Sequence, residues 1–230
     1  MTLFQIPPSP QVPVTGTQDT YPVHRIFCVG RNYAAHAREM GTEPDREAPF
    51  YFTKSPSAIT LSGSTIPYPP GTANYHHEME LVVALGAPLF RATAAQAEQA
   101  IYGYACGLDM TRRDRQQDGK DQRRPWDLGK DFEQSAIIAP LTPVAEAGAL
   151  AGKRIELAVD GAVVQQAVLD DLIHSVPEVL AHLSGYYHLA PGDLIYTGTP
   201  AGVGPVTAGQ RLEGRIDGLS PLALSIAEPE

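Results

Sequence analysis

Residues 154–169 read RIELAVDGAVVQQAVL, and they give the sharpest local indication of fold in the chain. Apolar and polar residues alternate on both sides of Asp160-Gly161, a dipeptide that tolerates the positive φ angles of a two-residue hairpin turn. The stretch therefore predicts two antiparallel strands. Further on, residues 210–226 (QRLEGRIDGLSPLALSI) predict two more strands around a turn.

Four other short apolar runs, each bounded by turn residues, predict buried strands. These runs are RIFCVG (25–30), MELVVAL (79–85), SAIIAP (135–140) and DLIYTG (193–198). Helices are fewer. We expect two or three, and strands that do not alternate regularly with helices favour an α+β fold over a doubly wound sheet.

Two helix starts carry capping boxes, in which a Ser or Thr is followed three residues later by Gln or Glu. Thr93 and Gln96 precede the run AEQAIYGYA (97–105). The second pair, Ser175 and Glu178, predicts a helix from about 176 to 187, with Pro177 tolerated in the first turn.

Length and charge narrow the class of protein. A chain of 230 residues fits one substantial domain, and its net charge of −9 argues against nucleic acid and anionic membrane as partners. No apolar run reaches the ~18 residues of a membrane span. The two cysteines, Cys28 and Cys106, are expected to be reduced core residues of a cytoplasmic protein.

The N-terminus is rich in proline and has no signal-peptide pattern. We expect residues 1–23 to form an extended arm on the body or on a neighbouring subunit. A single catalytic domain would then span residues 24–230.

Residues 75–81 read YHHEMEL and place two histidines and two carboxylates beside an apolar run. In a strand, Glu78 and Glu80 share one face while Met79 points to the core. A divalent cation would relieve their repulsion, and oxygen ligands select Mg²⁺, Mn²⁺ or Ca²⁺ over zinc. Asp109, which we expect just after a helix, is a candidate third ligand. The alternative is a solvated strand end.

His36 and Glu39 are three residues apart, so on a helix they lie on one face. A carboxylate bonded to one imidazole nitrogen makes the other nitrogen a general base for water. The polar run behind Gly41 suggests a mobile lid. A surface His–Glu pair is the alternative reading.

The most charged stretch, residues 111–131, is either a solvated loop or the wall of an active site. The glycines of YTGTPAGVGP (196–205) suggest close backbone approach to a ligand, without the lysine of a P-loop. Lys54 and Lys130 lie beside apolar residues and could be ordinary side chains with buried stems.

Six segments, in this order along the chain, resemble the fumarylacetoacetate hydrolase family over roughly residues 24–226. The segments are FCVGRNYAAHAREM, FYFTKSPSA, YHHEMEL, GYACGLDMTRRDRQ, WDLGKDF and DLIYTGTPAGVGP. Within the family the chain most resembles the branch that hydrolyses acylpyruvates, fumarylpyruvate above all. We expect no counterpart here of the separate N-terminal domain of fumarylacetoacetase itself.

The resemblance implies a mixed β-sheet rolled into a barrel-like core, a homodimer, and a place in aromatic-compound catabolism of the gentisate type. It implies Mg²⁺ or Mn²⁺ as cofactor. The implied site residues are Glu78, Glu80 and Asp109 on the metal, His36 and Glu39 as the water-activating pair, Lys130 at the substrate oxyanion, and Arg31, Gln116 and Thr199 on the substrate.

The implied reaction is hydrolysis of the carbon–carbon bond of an acylpyruvate, a small oxo-acid. Alternatives are oxaloacetate decarboxylation, isomerisation of 2-hydroxyhepta-2,4-diene-1,7-dioate, and, from another class, a non-catalytic small-acid-binding protein. A fumaryl group would need a cation at its far carboxylate. The candidates are Arg31, Arg38, Arg112, Arg113 and Arg115.

Overall fold

A computed structural model describes residues 3–5, 7–39 and 47–230, in which strands dominate. The strands are β1 (Gln11–Pro13), β2 (Thr20–Pro22), β3 (Arg25–Gly30), β4 (Phe50–Lys54), β5 (Ile59–Leu61), β6 (Thr65–Pro67), β7 (Tyr75–His77), β8 (Met79–Leu85), β9 (Ile101–Asp109), β10 (Thr111–Arg112), β11 (Ala136–Ile138), β12 (Thr142–Pro143), β13 (Arg154–Val159), β14 (Ala162–Val168), β15 (Asp193–Tyr196), β16 (Gly204–Pro205), β17 (Arg211–Ile216) and β18 (Leu222–Ala227). The α-helices are α1 (Ala34–Glu39), α2 (Ala94–Gln99), α3 (Arg113–Asp121), α4 (Asp127–Lys130), α5 (Val144–Ala147) and α6 (Val176–Leu183).

The largest sheet has eight strands in the order β4-β3-β15-β8-β9-β11-β5, with β12 also paired to β9. It is mixed, because β15 runs parallel to β3 and β11 parallel to β5 while the other pairs are antiparallel. A five-stranded sheet follows the order β14-β13-β17-β18-β6. The sheets curl into a half-barrel, so the predicted α+β fold with a mixed, barrel-like core is confirmed.

The hairpin predicted at Asp160-Gly161 is present as β13 and β14. Both turn residues have positive φ, +50° and +82°, as a type I′ turn requires. The second predicted pair is also confirmed, since β17 and β18 are antiparallel with Leu212 opposite Leu224. All four other predicted strands are present as β3, β8, β11 and β15.

The core lies in two layers, one on each face of the large sheet. Alternate residues of β8 divide between them: Leu81 joins the layer shared with the five-stranded sheet, and Val82 joins the opposite layer. The first layer also takes the buried faces of α2 and α6, such as Leu180. Strand β8 is therefore buried on both faces, which explains its continuous apolar sequence.

Both predicted capping boxes are present, at Thr93 for α2 and at Ser175 for α6. The prediction of a helix ending just before Asp109 is wrong. Helix α2 ends at Gln99, and the following residues form β9, because pairing with β8 and β11 recruits this apolar segment into the sheet. There are also six short α-helices in the described ranges instead of the expected two or three.

The segment assigned to an N-terminal arm contains the antiparallel pair β1 and β2. This pair packs against the outer face of the large sheet, with Val12, Val14 and Tyr21 buried in the second core layer. The division of the chain at residue 23 stays a prediction. No helix within the described residues is both long enough and apolar enough to cross a membrane.

Candidate active site

Glu78, Glu80 and Asp109 converge in the interior. Glu78 lies between β7 and β8, and period-two alternation turns Glu80 away from the layer that holds Met79 and Leu81. The three side chains offer oxygens that all lie within 4.8 Å of one another, and each residue is at most 5% exposed. Burial at this level excludes the solvated strand end.

Strand pairing brings Asp109 to this point. The last residue of β9 lies beside the start of β8, where the Asp109 backbone N–H donates to the Glu78 carbonyl at 2.9 Å. The two neighbouring histidines are not part of the group. His76 contacts Asn74 and Arg113, and His77 contacts Gln165.

Three cations surround the carboxylates. Lys130 Nζ donates to Glu78 at 2.8 Å and to Asp109 at 2.6 Å, and Arg113 donates to Glu78 at 2.5 Å. Burial opposes ionisation of Glu78, but Lys130 and Arg113 outweigh it and lower the pKa of this carboxyl. Burial likewise opposes charge on Lys130, yet Asp109 and Glu78 raise its pKa above the ordinary value.

Lys54 is the third cation and is fully buried beneath the site. Its ammonium lies 2.9 Å from Asp109 Oδ1 and donates to the backbone carbonyls of Met110 and Lys130. The contact with Oδ1 lacks hydrogen-bond geometry, so this buried oxygen has an ion-pair neighbour but no hydrogen bond. The lysine read as ordinary in the sequence thus supports a predicted metal ligand.

The residues present fit a divalent cation. Burial, and after it the charges of Asp109 and Glu78, raise the pKa of Glu80 well above its usual range, and none of the three cations forms an ion pair with this carboxyl. A cation among the three carboxylates would relieve this repulsion and would take up the unbonded Asp109 oxygen. An all-carboxylate set is the donor chemistry of Mg²⁺ and Mn²⁺.

The predicted His–Glu pair forms on α1. His36 Nδ1 lies 3.1 Å from Glu39 Oε2, and because a carboxylate only accepts, Nδ1 carries the proton and Nε2 is left as the basic nitrogen. His36 is only 6% exposed and lines the same cleft as Glu78 and Glu80. The polar run proposed as a lid falls mainly on residues 40–46, outside the described residues.

A single cleft collects most of the predicted site. Its lining includes His36, Glu78, Glu80, Lys130, Arg31, Gln116 and Thr199. Asp109 lies beneath the floor, bonded to Lys130, and Glu39 lies behind His36. Residues 111–131 supply one wall of this cleft and are not a solvated loop, and their place in an active site stays a prediction.

The five arginines proposed to bind a distal carboxylate differ in whether they line the cleft. Arg31 and Arg113 line the cleft, but Arg113 is committed to Glu78 and Gln116. Arg112 stacks over Phe132, and Arg115 pairs with Asp114 and Asp118. Neither they nor Arg38 belong to the described lining.

Several residues that line the cleft were not predicted from the sequence. Lys120 and an aromatic group of Phe50, Phe52 and Trp126 also line the cleft. Spacing could have found Lys120, since it lies four residues after Gln116, but only if residues 113–121 had been recognised as a helix. The aromatic residues come from β4 and from the segment before α4, which nothing in their local sequence connects.

Gln165 of β14 is the other residue that sequence did not single out. Its buried amide oxygen accepts the Met79 N–H and contacts His77, and its nitrogen donates to Thr199 Oγ1 and to the Pro200 carbonyl. The hairpin chosen by Asp160-Gly161 therefore reaches the active site and fixes the position of Thr199.

Gly202 connects the glycine-rich loop to the His–Glu pair. Its N–H donates to the Glu39 carboxylate at 3.1 Å, and its φ is +94°. A Cβ at this position would lie 2.0 Å from the Val164 carbonyl oxygen.

We therefore expect Gly202→Ala to displace the loop, to lower the melting temperature and, because Glu39 would lose its contact with the Gly202 N–H, to reduce turnover. Strained φ alone costs about 1–3 kcal/mol, and each kcal/mol shifts the melting temperature by about 2–4 °C in a domain of this size.

Gly209→Ala is the matched control. Gly209 also has positive φ, +88°, but no atom lies within 4 Å of the Cβ that alanine would add. Calorimetry should show a larger loss for Gly202→Ala, and only that variant should lose activity beyond its loss of stability. Equal effects of both changes would mean that the clash with Val164 and the Glu39 contact are unimportant.

Comparison with known proteins agrees with this geometry. The family model described as fumarylacetoacetate (FAA) hydrolase C-terminal matches residues 25–227. A fumarylpyruvate hydrolase of Ralstonia sp is 50% identical over 197 residues, which cover 83% of this chain and 100% of that protein. An oxaloacetate tautomerase of Escherichia coli (strain K12) is 38% identical over 201 residues, 87% of this chain and 91% of that protein.

Solved structures agree as well. The crystal structure of fumarylpyruvate hydrolase from Pseudomonas aeruginosa in complex with Mn2+ and pyruvate matches with a TM-score of 0.95 at 46% identity, covering 99% of this chain and 100% of that one. Fold, buried carboxylates and near-complete coverage lead to one conclusion: the chain belongs to the fumarylacetoacetate hydrolase family.

Proposed function

We propose that this chain is a divalent-metal-dependent hydrolase that cleaves fumarylpyruvate to fumarate and pyruvate. The observation that carries the proposal is the meeting of three buried carboxylates with the His36–Glu39 pair in one cleft. The relatives named as fumarylpyruvate hydrolases, at 50% and 46% identity, support the choice of substrate.

Glu78, Glu80 and Asp109 would hold Mg²⁺ or Mn²⁺. When bound, the cation supplies Lewis-acid charge at the 2-oxo acid end of the substrate. The charges already present favour an anionic ligand there. The three cations Lys54, Lys130 and Arg113 equal the three carboxylates in number, although they contact only Glu78 and Asp109, so an added divalent cation leaves the site as a whole with excess positive charge.

His36 acts as general base. With Nδ1–H held by Glu39, its Nε2 takes a proton from water, and the water oxygen bonds to the acyl carbonyl carbon. The carbon–carbon bond then breaks, and its electron pair stays on the pyruvate fragment as an enolate. Return of the proton from His36 to the enolate carbon gives pyruvate, and the other fragment leaves as a carboxylic acid.

Other residues of the cleft bind and orient. The Lys130 ammonium stabilises the developing oxyanion from a fully buried position, where a charge is most effective. Gln116 and Thr199 contribute polar contacts to the substrate, each held by a neighbour: Gln116 accepts from Arg113, and Thr199 accepts from Gln165. Arg31 contacts the substrate from the rim of the cleft.

A second candidate function is proton transfer on oxaloacetate. The Escherichia coli relative is named an oxaloacetate tautomerase, and oxaloacetate presents the same carboxylate and 2-oxo group as an acylpyruvate. Such a reaction needs the metal carboxylates but no water attack on a distal carbonyl. Oxaloacetate decarboxylation would use the same groups.

A pyruvate-release assay with Mg²⁺ separates hydrolysis from decarboxylation, and the decay of enol absorbance in oxaloacetate solutions detects tautomerisation, which releases no pyruvate. We expect fumarylpyruvate to exceed the neutral acetylpyruvate in kcat/KM by about ten- to hundredfold, because a charge-assisted bond to its second carboxylate contributes roughly 1.5–3 kcal/mol. Equal rates for both would favour a general acylpyruvate hydrolase. Pyruvate from oxaloacetate alone would replace this proposal with decarboxylation, and accelerated enol–keto exchange of oxaloacetate alone would replace it with tautomerisation. No reaction in either assay would favour a binding protein.

We further propose a cytoplasmic homodimer built on one catalytic domain, residues 24–230, and acting in aromatic-compound catabolism. Both cysteines are buried and unpaired, as in proteins of a reducing compartment. Light scattering on the purified protein tests the assembly, and a mass near 24.7 kDa would contradict the dimer.

A further inference from the structure

Lys120 occupies the wall of the cleft on the same helical face as two residues of the site. Arg113, Gln116 and Lys120 are spaced by three and four residues along α3, so their side chains lie in one row. Arg113 begins the row at Glu78, where it donates to the carboxylate. Lys120 ends it roughly 10 Å further along the helix axis. The row therefore leads away from the carboxylates toward the far end of the cleft.

A pair of aromatic rings lies between Lys120 and a second cation. The Lys120 ammonium is 5.4 Å from the centre of the Trp126 ring, and the Arg31 guanidinium is 5.6 Å from the centre of the Phe50 ring. The two rings meet edge to face, with centres 5.6 Å apart. All four residues line the cleft, so two cations flank one aromatic surface.

These two cations have no carboxylate partner among the residues that the structure describes. Every other cation in or beneath the cleft is paired: Arg113 with Glu78, Lys130 with Glu78 and Asp109, and Lys54 with Asp109. Burial, together with the charges of Arg113 and Arg31, lowers the pKa of Lys120. A half-buried, unpaired ammonium among like charges is costly for the folded protein unless a ligand compensates it.

The backbone holds Arg31 in place. Its φ is +55°, an uncommon value for a residue other than glycine. The next residue fixes the turn, because the Asn32 amide donates to the carbonyls of His174 and Thr197 and its oxygen accepts the His174 N–H. Strained backbone over-determined by neighbouring bonds is typical of functional positions.

We propose that Lys120, together with Arg31, binds the carboxylate at the end of the substrate remote from the metal carboxylates. The inference rests on the proposed function, and it names the substrate class as acylpyruvates whose acyl group ends in a carboxylate. Fumarylpyruvate separates its two carboxylate carbons by six bonds, roughly 7–8 Å when extended. Lysine side chains on a helix lean toward its N-terminus, which shortens the distance between the Lys120 ammonium and the metal carboxylates.

The aromatic surface suits the same class of acyl group. A conjugated ene-dioate is flat, and the faces of Phe50 and Trp126 offer an apolar surface between the two cations. Acetylpyruvate would leave this surface and both cations without a partner. The loss of a charge-assisted bond, and not a steric clash, would thus separate the two substrates.

Lys120→Met tests the inference, since methionine keeps an apolar side chain against Trp126 and removes the charge. We expect kcat/KM on fumarylpyruvate to fall about ten- to hundredfold, mainly through KM, and kcat/KM on acetylpyruvate to stay within about twofold. Lys120→Arg should restore most of the loss. Arg115→Met is the matched control on the same helix, because Arg115 pairs with Asp114 and Asp118 outside the cleft.

Equal loss on both substrates, or no loss on either, would overturn the inference. A binding measurement tests the role of Lys120 independently of whether the protein hydrolyses acylpyruvates. Calorimetry with the Mg²⁺-loaded protein should show fumarate bound about ten- to hundredfold more weakly by Lys120→Met, and acrylate, which lacks the second carboxylate, bound equally by both proteins. Unchanged fumarate binding refutes the role of Lys120 even in an active hydrolase. The expected difference supports it even if neither acylpyruvate is cleaved by the unaltered protein.

Discussion

Treatment with a chelator should abolish hydrolysis of fumarylpyruvate, and Mg²⁺ or Mn²⁺ should restore it without any requirement for Zn²⁺. The expectation follows from three buried carboxylates as the donor set, with no imidazole or thiolate in the group. The chain should remain folded without metal, because its two core layers are built from apolar residues of both sheets. Circular dichroism on the metal-stripped protein checks this second point.

Glu80→Gln separates metal binding from folding. Glutamine keeps an oxygen that can accept the Gly198 N–H, as Glu80 does at 2.8 Å, and it removes one of three mutually repelling charges. The melting temperature without metal should therefore hold or rise, while the stabilisation produced by added Mn²⁺ falls with an affinity at least about tenfold weaker. Glu213→Gln, at a partly exposed strand position beside Arg211, is the control. Full activity in a metal-free sample, or an unchanged Mn²⁺ response of Glu80→Gln, would contradict this site.

Patterns within short stretches of sequence predicted those elements of the fold that short stretches determine by themselves. Alternation and the Asp160-Gly161 turn predicted a hairpin that the structure contains, and period-two spacing predicted that Glu78 and Glu80 turn away from Met79. These features need no knowledge of distant residues. The strand that follows α2 does need it: an apolar segment after a helix start is extended here only because β8 and β11 pair with it.

Helix α3 was missed for a different physical reason. Its sequence, RDRQQDGKD, has no apolar stripe, so periodicity gives no signal. Polar contacts made by its first two residues hold it instead, since Arg113 bonds Glu78 and Asp114 accepts from Thr72 and Ala73. The sequence therefore suggested a wall at residues 111–131 but not its helical form or the position of Lys120, because both depend on the contacts with Glu78, Thr72 and Ala73.

Only some residues of the site could be predicted from the sequence. Individual residues such as His36 and Glu80 follow from spacing on one element, and the family resemblance adds their order along the chain. Their supporting partners come from remote segments: Lys54 lies under Asp109, and Gln165 joins Met79 to Thr199. Such contacts depend on tertiary packing, which a single sequence does not reveal.

His36→Ala should strongly reduce the rate of hydrolysis and leave reactions that need no activated water nearly unchanged. Loss of a general base typically costs ~10²–10⁴-fold. His36 Nε2 is the nitrogen left free by the Glu39 contact, so fumarylpyruvate cleavage should fall in that range. Decarboxylation of oxaloacetate, which needs no proton taken from water and in which the carboxylate group and Lys130 act on the shared 2-oxo acid end, should change far less. The measurement is kcat for both substrates at saturating Mg²⁺.

The comparison between substrates assigns the role, and His188→Ala controls for loss of an imidazole, because His188 is exposed and stacks on Phe90. If His36→Ala loses both activities equally, His36 must bind the 2-oxo acid end that the two substrates share, and water activation would need another base. If it loses only hydrolysis, the same carboxylate site supports both reactions, and the His36–Glu39 pair is what makes this chain a hydrolase. The balance between hydrolysis and decarboxylation in this chain would then depend on how firmly the His36 imidazole is held in position. In this chain that position depends on the Gly202 N–H, which holds Glu39 in place behind His36.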